Sequence, residues 1–468
     1  MHTAFSELST FARSLEGPRI TGRVRAILGL TLTVTGLERA MGIGQRCTVY
    51  GRRGAVKGEV VGVDKDGTHV LPFGTWDGVV SGDLVELNAH SDVIRPDASW
   101  IGRVVDALGR PLDQAGPLPD GPDPRLVKAP PPSAFNRKRV GTRLETCIKA
   151  FDIFTPLCRG QRMGIFAGSG VGKSTLMAML ARNTDADVIV IGLVGERGRE
   201  VQDFIEDDLG PDGMKRSVLV VATGDEPPLM RRQAAWTATA GAEFFRDQGL
   251  QVLLLIDSVT RFAMAQREIG LSVGEPPTGK GYPPSVFSEL PQLLERAGPG
   301  PRGSGDISGI YTVLVDGDDL NEPISDSVRG ILDGHIVLDR HIAEQGRFPA
   351  MNLQKSISRM LPDCHSDDEY AILQAARRTL AKYDDMEELI RIGAYKSGAD
   401  PEIDAAIRFF AQAEVFLSQR KQHTMATNEA FAEMYRMLTD AGVAVSLPDV
   451  GAAGTALVPE TGDAGLPV

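Results

Sequence analysis

Five side chains in this 468-residue chain have types and spacings suited to phosphate chemistry. Lys173 and Ser174 close a glycine run, Gly168-Ser-Gly-Val-Gly172, and Thr175 follows them. Asp257 ends one apolar run and Glu196 ends another. The glycine run has apolar residues before it (Met163, Ile165, Phe166) and a helical pattern after it (Leu176, Met177, Leu180). Strand, glycine loop, Lys-Ser and helix is the context in which backbone N–H groups cradle phosphate oxygens. Gly168, Ser169, Gly170, Val171 and Gly172 would form the cradle. The N-terminus of the helix adds partial positive charge. Lys173 reaches the β- and γ-phosphates, and the Ser174 hydroxyl holds Mg²⁺. Ala167 replaces the glycine that usually opens this pattern. It falls at the strand end, where a methyl group is accommodated. A plain Gly/Ser turn before a helix would need neither Lys-Ser nor the flanking elements.

Val-Leu-Leu-Leu-Ile-Asp257 places a carboxylate at the carboxyl end of a buried strand, where a P-loop enzyme holds Mg²⁺ directly or through water. Glu196 ends the strand Ile189-Val-Ile-Gly-Leu-Val-Gly-Glu and faces the same crevice. From position alone it is either a group that polarises the attacking water or a surface glutamate in a charged turn.

The elements that must position these residues follow from hydrophobic period. Residues 1–20 contain an amphipathic helix (Phe5, Leu8, Phe11, Ala12, Leu15) stopped by Gly17-Pro18. It either packs on its own body or docks a partner. From 21 to 95 the period becomes two, as in the alternation Leu28, Leu30, Leu32, Val34, with turns at Asp66-Gly67 and Ser81-Gly82. This predicts a small β-barrel. Residues 96–140 are a proline-rich linker. Residues 141–365 alternate strands (162–167, 187–194, 217–222, 251–257, 310–315, 334–338) with helices such as 229–247, an α/β pattern with a buried parallel sheet. At 366–447 helices take over, opened by the capping box Ser366-Asp-Asp-Glu369, with stretches at 402–419 and 427–440. The tail 448–468 is Gly/Ala/Pro-rich and reads as disordered.

Composition sets limits. The net charge of −12 argues against a dominant nucleic-acid surface. Four cysteines (Cys47, Cys147, Cys158, Cys364) without a C-x-x-C pair read as reduced thiols, neither disulfides nor a zinc site. His335 and His341 read as structural or surface residues. No basic leader with an apolar core and no apolar run long enough to span a bilayer is apparent. The chain is therefore expected to be cytoplasmic, with any membrane association through a partner.

Gly164–Leu176, Gly195-Glu-Arg-Gly-Arg-Glu200, Asp257-Ser-Val-Thr-Arg261, Gly274-Glu-Pro-Pro-Thr-Gly-Lys-Gly-Tyr-Pro-Pro-Ser285, Asn321-Glu-Pro-Ile-Ser-Asp326 and Ser356-Ile-Ser-Arg359 together resemble the type III secretion ATPases. The flagellum-specific export branch matches best. The wider group includes the catalytic β subunit of rotary ATP synthases, and the resemblance covers roughly residues 20–440. It implies a RecA-like P-loop ATPase core with an N-terminal β-barrel and a C-terminal helical domain. It implies a homohexamer with ATP sites between subunits, and Mg²⁺ as cofactor. Glu196 becomes the catalytic carboxylate, Arg197 a γ-phosphate contact and Arg359 an arginine finger into the neighbouring site. Without the resemblance Arg359 reads as a surface or salt-bridge arginine. Phe348 matches the family's aromatic adenine contact. Phe416 matches a second, and a core phenylalanine is the competing reading of both. Asn352 stands where many relatives have Asp.

The function implied is ATP hydrolysis that energises protein export through the flagellar type III apparatus, by releasing and unfolding substrate–chaperone complexes at the export gate. The implied partners are a stator-like regulator at the N-terminal helix, a coiled-coil stalk protein in the ring, the export gate, chaperones and flagellar export substrates. Recruitment would be peripheral, to the inner-membrane export apparatus. The alternatives are a virulence export ATPase and a proton-coupled rotary synthase subunit. A hexameric RNA translocase is disfavoured by the acidic chain and a barrel with few aromatics (Tyr50, Phe73, Trp76). A P-loop binder without activity is disfavoured by the presence of Lys173, Glu196 and Asp257.

Overall fold

The computed structural model describes residues 19–88, 92–315, 317 and 319–447. The expected helix at 1–17 and the tail 448–468 lie outside them.

Six antiparallel strands close into a barrel: β1 (Thr21–Leu28), β2 (Thr31–Thr35), β3 (Arg46–Gly51), β4 (Gly54–Asp64), β5 (Gly67–Pro72) and β6 (Leu84–Leu87), in the order β1-β2-β5-β4-β3-β6. Closure leaves no unpaired edge. Val24, Leu32, Val34, Cys47, Val49, Val60, Val70 and Val85 fill the interior. The alternation from Leu28 to Val34 is not one strand. A turn at Gly29-Leu30, with Gly29 at φ 58°, breaks it into a hairpin. Leu32 and Val34 point inward, while Leu28 is 84% exposed.

The central sheet runs through β7 (Val104–Asp106), β8 (Arg162–Ala167), β9 (Val188–Glu196), β10 (Ser217–Thr223), β11 (Gln251–Asp257), β12 (Asp306–Leu314), β13 (Gly334–Leu338) and β14 (Met351–Ser358). Their order is β14-β13-β8-β12-β11-β9-β10-β7, with the short strand Gly298–Pro299 pairing β12. All pairs along this order are parallel except β13 with β14. Two of these strands were not expected. β7 arises from residues read as linker, and it is anchored by a fork of Arg103 onto Asp113 at 2.7 and 2.8 Å. β14 is half exposed and carries Asn352, Gln354 and Lys355, so it lacks the continuous apolar run of its neighbours. The other six fall where the Val/Ile/Leu runs predict them, because a parallel sheet buried on both faces admits little else.

Helices α1 (Lys173–Asn183), α2 (Pro228–Asp247) and α3 (Val259–Ser272) cover the sheet. Alanines of α2 allow close approach to β9. A Cβ on Gly192 would stand 3.1 Å from the Ala238 methyl. The barrel is joined to this core through a buried pair, Arg232 of α2 on Glu59 of β4. Residues His365–Gln412 and 431–447 form a second compact unit. Its helix Asp367–Arg391 begins with the expected reciprocal capping box of Ser366 and Glu369. Among the described residues no helix is long and apolar enough to cross a membrane.

Glu59 and Arg232 are both more than nine-tenths buried. Glu59→Ala would strand the guanidinium and should cost about 3–5 kcal/mol in denaturant unfolding. The double variant Glu59→Leu/Arg232→Met should recover most of that loss. A double variant as unstable as the single one would show that the pair itself, and not the stranded charge, sets the cost.

Candidate active site

β8, β12, β11 and β9 lie side by side and parallel, so their carboxyl ends share one edge. That edge carries the loop 168–172, Asp257 and Glu196, as crevices in open α/β sheets do. Gly170 and Gly172 have φ of 78° and 90°, a region that disfavours any side chain. Gly172 caps α1, whose first residue is Lys173. Val171 is buried and anchors the loop, while Ser169 and Ser174 are exposed and Thr175 half-buried. The Ala167 methyl is buried at the strand end without displacing the loop.

The Lys173 ammonium reaches across the crevice. It donates to Asp257 Oδ1 and lies 3.4 Å from Glu196 Oε1. Thr312 Oγ1 of the intervening β12 donates to the same Asp257 oxygen at 2.6 Å. Both bonds fall on Oδ1, which leaves Oδ2 available as a hard oxygen donor. Ser174 lines a cavity of about 480 Å³ with the loop, Lys173, Glu196, Arg197, Glu200 and Arg261, and Lys173 links that cavity to Asp257. Serine hydroxyl and aspartate oxygen are the donor types that suit Mg²⁺.

Burial pushes the Glu196 carboxyl up to about 7, helped by the Asp257 charge and opposed by Lys173. Burial also works against the Lys173 charge, but Asp257 and Glu196 outweigh it and hold its pKa above the ordinary lysine value.

The other sequence candidates are not all gathered here. The Arg197 side chain is 85% exposed and bonds Glu200 at 3.4 Å, at the cavity rim. Phe348 flanks the loop: a Cβ on Gly172 would lie 3.2 Å from its ring, which is 41% exposed. Phe416 is tied to the same region, since Gln419 N donates to Phe348 O at 2.7 Å. Its own ring is buried beneath the Lys149 ammonium, 4.7 Å from the centroid. Arg359 lies outside the cavity. It follows β14, whose Ser358 pairs Gly334 at the start of β13, whereas Leu338 at the end of β13 pairs Ala167. Four residues at about 3.3 Å each put Arg359 at the opposite edge of the sheet from the loop.

Two residues at the site were not singled out from sequence. Thr312 sits inside an apolar strand and gives no signal there. Arg261 could have been found: it follows Asp257 by one helical turn, after the cap Ser258, whose Oγ accepts from Arg261 N at 3.3 Å. Its side chain packs along Gly195, and its Nε is buried with no hydrogen-bond partner.

Comparison with known proteins agrees with this geometry. Residues 147–358 match the ATP synthase alpha/beta family, nucleotide-binding domain, and residues 365–436 match the T3SS EscN ATPase C-terminal domain. A flagellum-specific ATP synthase of Caulobacter vibrioides is 52% identical over 90% of this chain and 96% of its own length. Proteins of the same name from Bacillus subtilis (49%, 88% and 94%) and Salmonella typhimurium (45%, 89% and 93%) are similar throughout. Among solved structures, the assembled ATPase EscN from the type III secretion system of enteropathogenic E. coli superposes with a TM-score of 0.84 at 40% identity, over 89% of this chain and all of that one. EscN in complex with its central stalk EscO gives 0.81 at 39% identity, with the same coverage.

Removing the cation tests the cluster. In Lys173→Met, Glu196 loses its neutralising partner and its pKa rises further. A carboxyl raised in the folded state costs stability when ionised, so the cost is full above the folded pKa and vanishes below the unfolded one. The variant should be most destabilised near pH 8 and least near pH 5. Equal losses at both pH values would show that the charges are not coupled.

Proposed function

The chain belongs to the ATP synthase alpha/beta family, among the flagellum-specific ATP synthases, and on that premise we infer that it hydrolyses ATP to energise protein export through the flagellar type III apparatus. The observation that carries the chemistry is the Lys173–Asp257–Glu196 cluster beside the loop.

The loop amides and the start of α1 hold the β- and γ-phosphates, and Lys173 turns from its carboxylates toward the γ-phosphate when nucleotide enters. Ser174 and Asp257 would hold Mg²⁺, which supplies neutralisation of the phosphate charge. Thr312 keeps Asp257 in place. Glu196 accepts a hydrogen bond from the attacking water at its carboxylate, and a pKa near 7 suits it to hold that proton. Arg197 and Arg261 stand at the cavity for the γ-phosphate oxygens, and Phe348 stacks on the base, with Phe416 as the second aromatic of that subsite. Arg359 lies too far from its own loop to act there. It serves a neighbouring copy, where its charge offsets what builds up in the transition state. The working form is therefore a ring, read as a homohexamer.

The EscN structures carry the same architecture in an assembled form and with a central stalk. By that likeness a coiled-coil stalk protein enters the ring of this chain. The remaining partners (a stator-like regulator at residues 1–20, chaperones, export substrates and the export gate) follow from the same reading, as does peripheral recruitment to the inner membrane.

Glu196→Gln should keep ATP affinity within a few-fold and lose turnover by roughly 10³-fold, measured by nucleotide titration and phosphate release. Turnover near that of the parent would remove Glu196 from its role. Arg359→Ala should bind nucleotide normally as an isolated chain and lose hydrolysis by roughly 10³-fold at concentrations where the ring forms. Full hydrolysis there would end the finger assignment.

A further inference from the structure

Phe348 stands on a stretch that no regular element holds. It falls between the short helix Arg340–Glu344 and β14, with its ring partly exposed beside Gly172. A ring in such a place keeps one position only if its backbone is tied down from elsewhere. Two ties come from the segment 414–419, which belongs to the same compact unit as the phosphate loop. Arg347, buried, pairs with Glu414 at 3.0 Å and donates to Met351 O at 3.0 Å. Gln419 N donates to Phe348 O at 2.7 Å.

The Gln419 side chain, 5% exposed with its residue, is fully engaged. Its Oε1 accepts from Lys149 N at 3.0 Å. Its Nε2 donates to Cys147 O at 2.8 Å and to His423 O at 2.7 Å. Only a primary amide offers a carbonyl acceptor and two N–H donors at one tip, and asparagine is one methylene shorter. The places it grips need holding. Cys147 has φ 56°, where a side chain is strained. Lys149 N is the first amide of the helix Lys149–Phe154, and Ile148 before it supplies no side-chain cap. Lys149 in turn donates through Nζ to Phe416 O and stands over the Phe416 ring. Gln419 therefore ties Phe348 through its backbone and reaches Phe416 through Lys149. None of its four bonds goes to the phosphate loop, Asp257 or Glu196.

We propose that Gln419 is a positioning residue for the nucleotide base. It fixes the two aromatic side chains of the base subsite and so sets how much the base adds to the binding of the triphosphate. The proposal rests on the reading of Phe348 as the ring that stacks on the base. A side chain that only stabilised the fold would weaken the phosphate and base ends together. A positioning role weakens the base end alone.

The test compares two probes on the full chain with Mg²⁺ present: ATP, and inorganic tripolyphosphate, which has the phosphates without the base. Gln419→Met keeps the length and removes the amide. Its ATP affinity should fall roughly tenfold, with tripolyphosphate affinity held within about twofold. In steady-state hydrolysis the loss should fall on KM rather than on kcat. Gln419→Glu is a second variant: it keeps the acceptor for Lys149 N, sets carboxylate oxygens against two carbonyls, and should lose ATP affinity in the same selective way. Phe348→Ala is measured beside them and should lose ATP affinity roughly thirtyfold, again with tripolyphosphate spared. Equal losses for both probes in the Gln419 variants would reduce Gln419 to a fold-supporting residue and overturn the proposal. Parent-like ATP affinity in both Gln419 variants, with Phe348→Ala weakened, would overturn it as well. Parent-like ATP affinity in Phe348→Ala would instead remove the reading of Phe348 on which the proposal stands, so the two failures are distinguishable.

Discussion

One constraint governs this molecule: an ammonium and two carboxylates share the carboxyl edge of a buried sheet. Lys173 cannot satisfy both Asp257 and Glu196 fully. It binds Asp257 closely and stands 3.4 Å from Glu196. The cluster has one negative charge in excess, in a place where burial penalises charge. Glu196 absorbs the excess through its raised pKa. The same imbalance suits the crevice to cations, and the loop amides beside it suit phosphate.

The sheet exists to hold that edge. Parallel pairing aligns the ends of β8, β9, β11 and β12, and apolar packing on both faces fixes their register. Thr312 shows how finely this is set. A single hydroxyl on the intervening strand orients Asp257 from inside the sheet. The barrel lies far from the chemistry in sequence, yet its Glu59 pairs with Arg232 and so braces α2, which packs directly on β9 and β11.

Much of this was legible in the sequence, for physical reasons. The buried strands show as Val/Ile/Leu runs because both faces are covered. The loop shows because only glycine takes φ near +90° without strain, and the Ser366 capping box because its two bonds require those residue types. Legibility failed where the pattern was local or shared. β14 alternates apolar and polar residues at a half-exposed edge, and β7 hides among prolines. The Leu28–Val34 alternation continued through a turn that Gly29 alone marks. Thr312 looked like any β-branched strand residue. The place of Arg359 was carried only by family resemblance, since nothing in its neighbours specifies a partner in another chain.

The account's central claim is that each active site is made by two chains, one giving Lys173, Asp257 and Glu196 and the next giving Arg359. Mixing the two inactive variants Glu196→Gln and Arg359→Ala before ring assembly tests it directly. Chains carrying Arg359→Ala keep an intact Glu196, and their neighbours can supply an intact Arg359. At equal proportions about one quarter of the interfaces in a head-to-tail ring pair two intact residues. Hydrolysis should therefore return to a substantial fraction of the parent rate, up to about a quarter per chain. A mixture no more active than either variant alone would contradict the account.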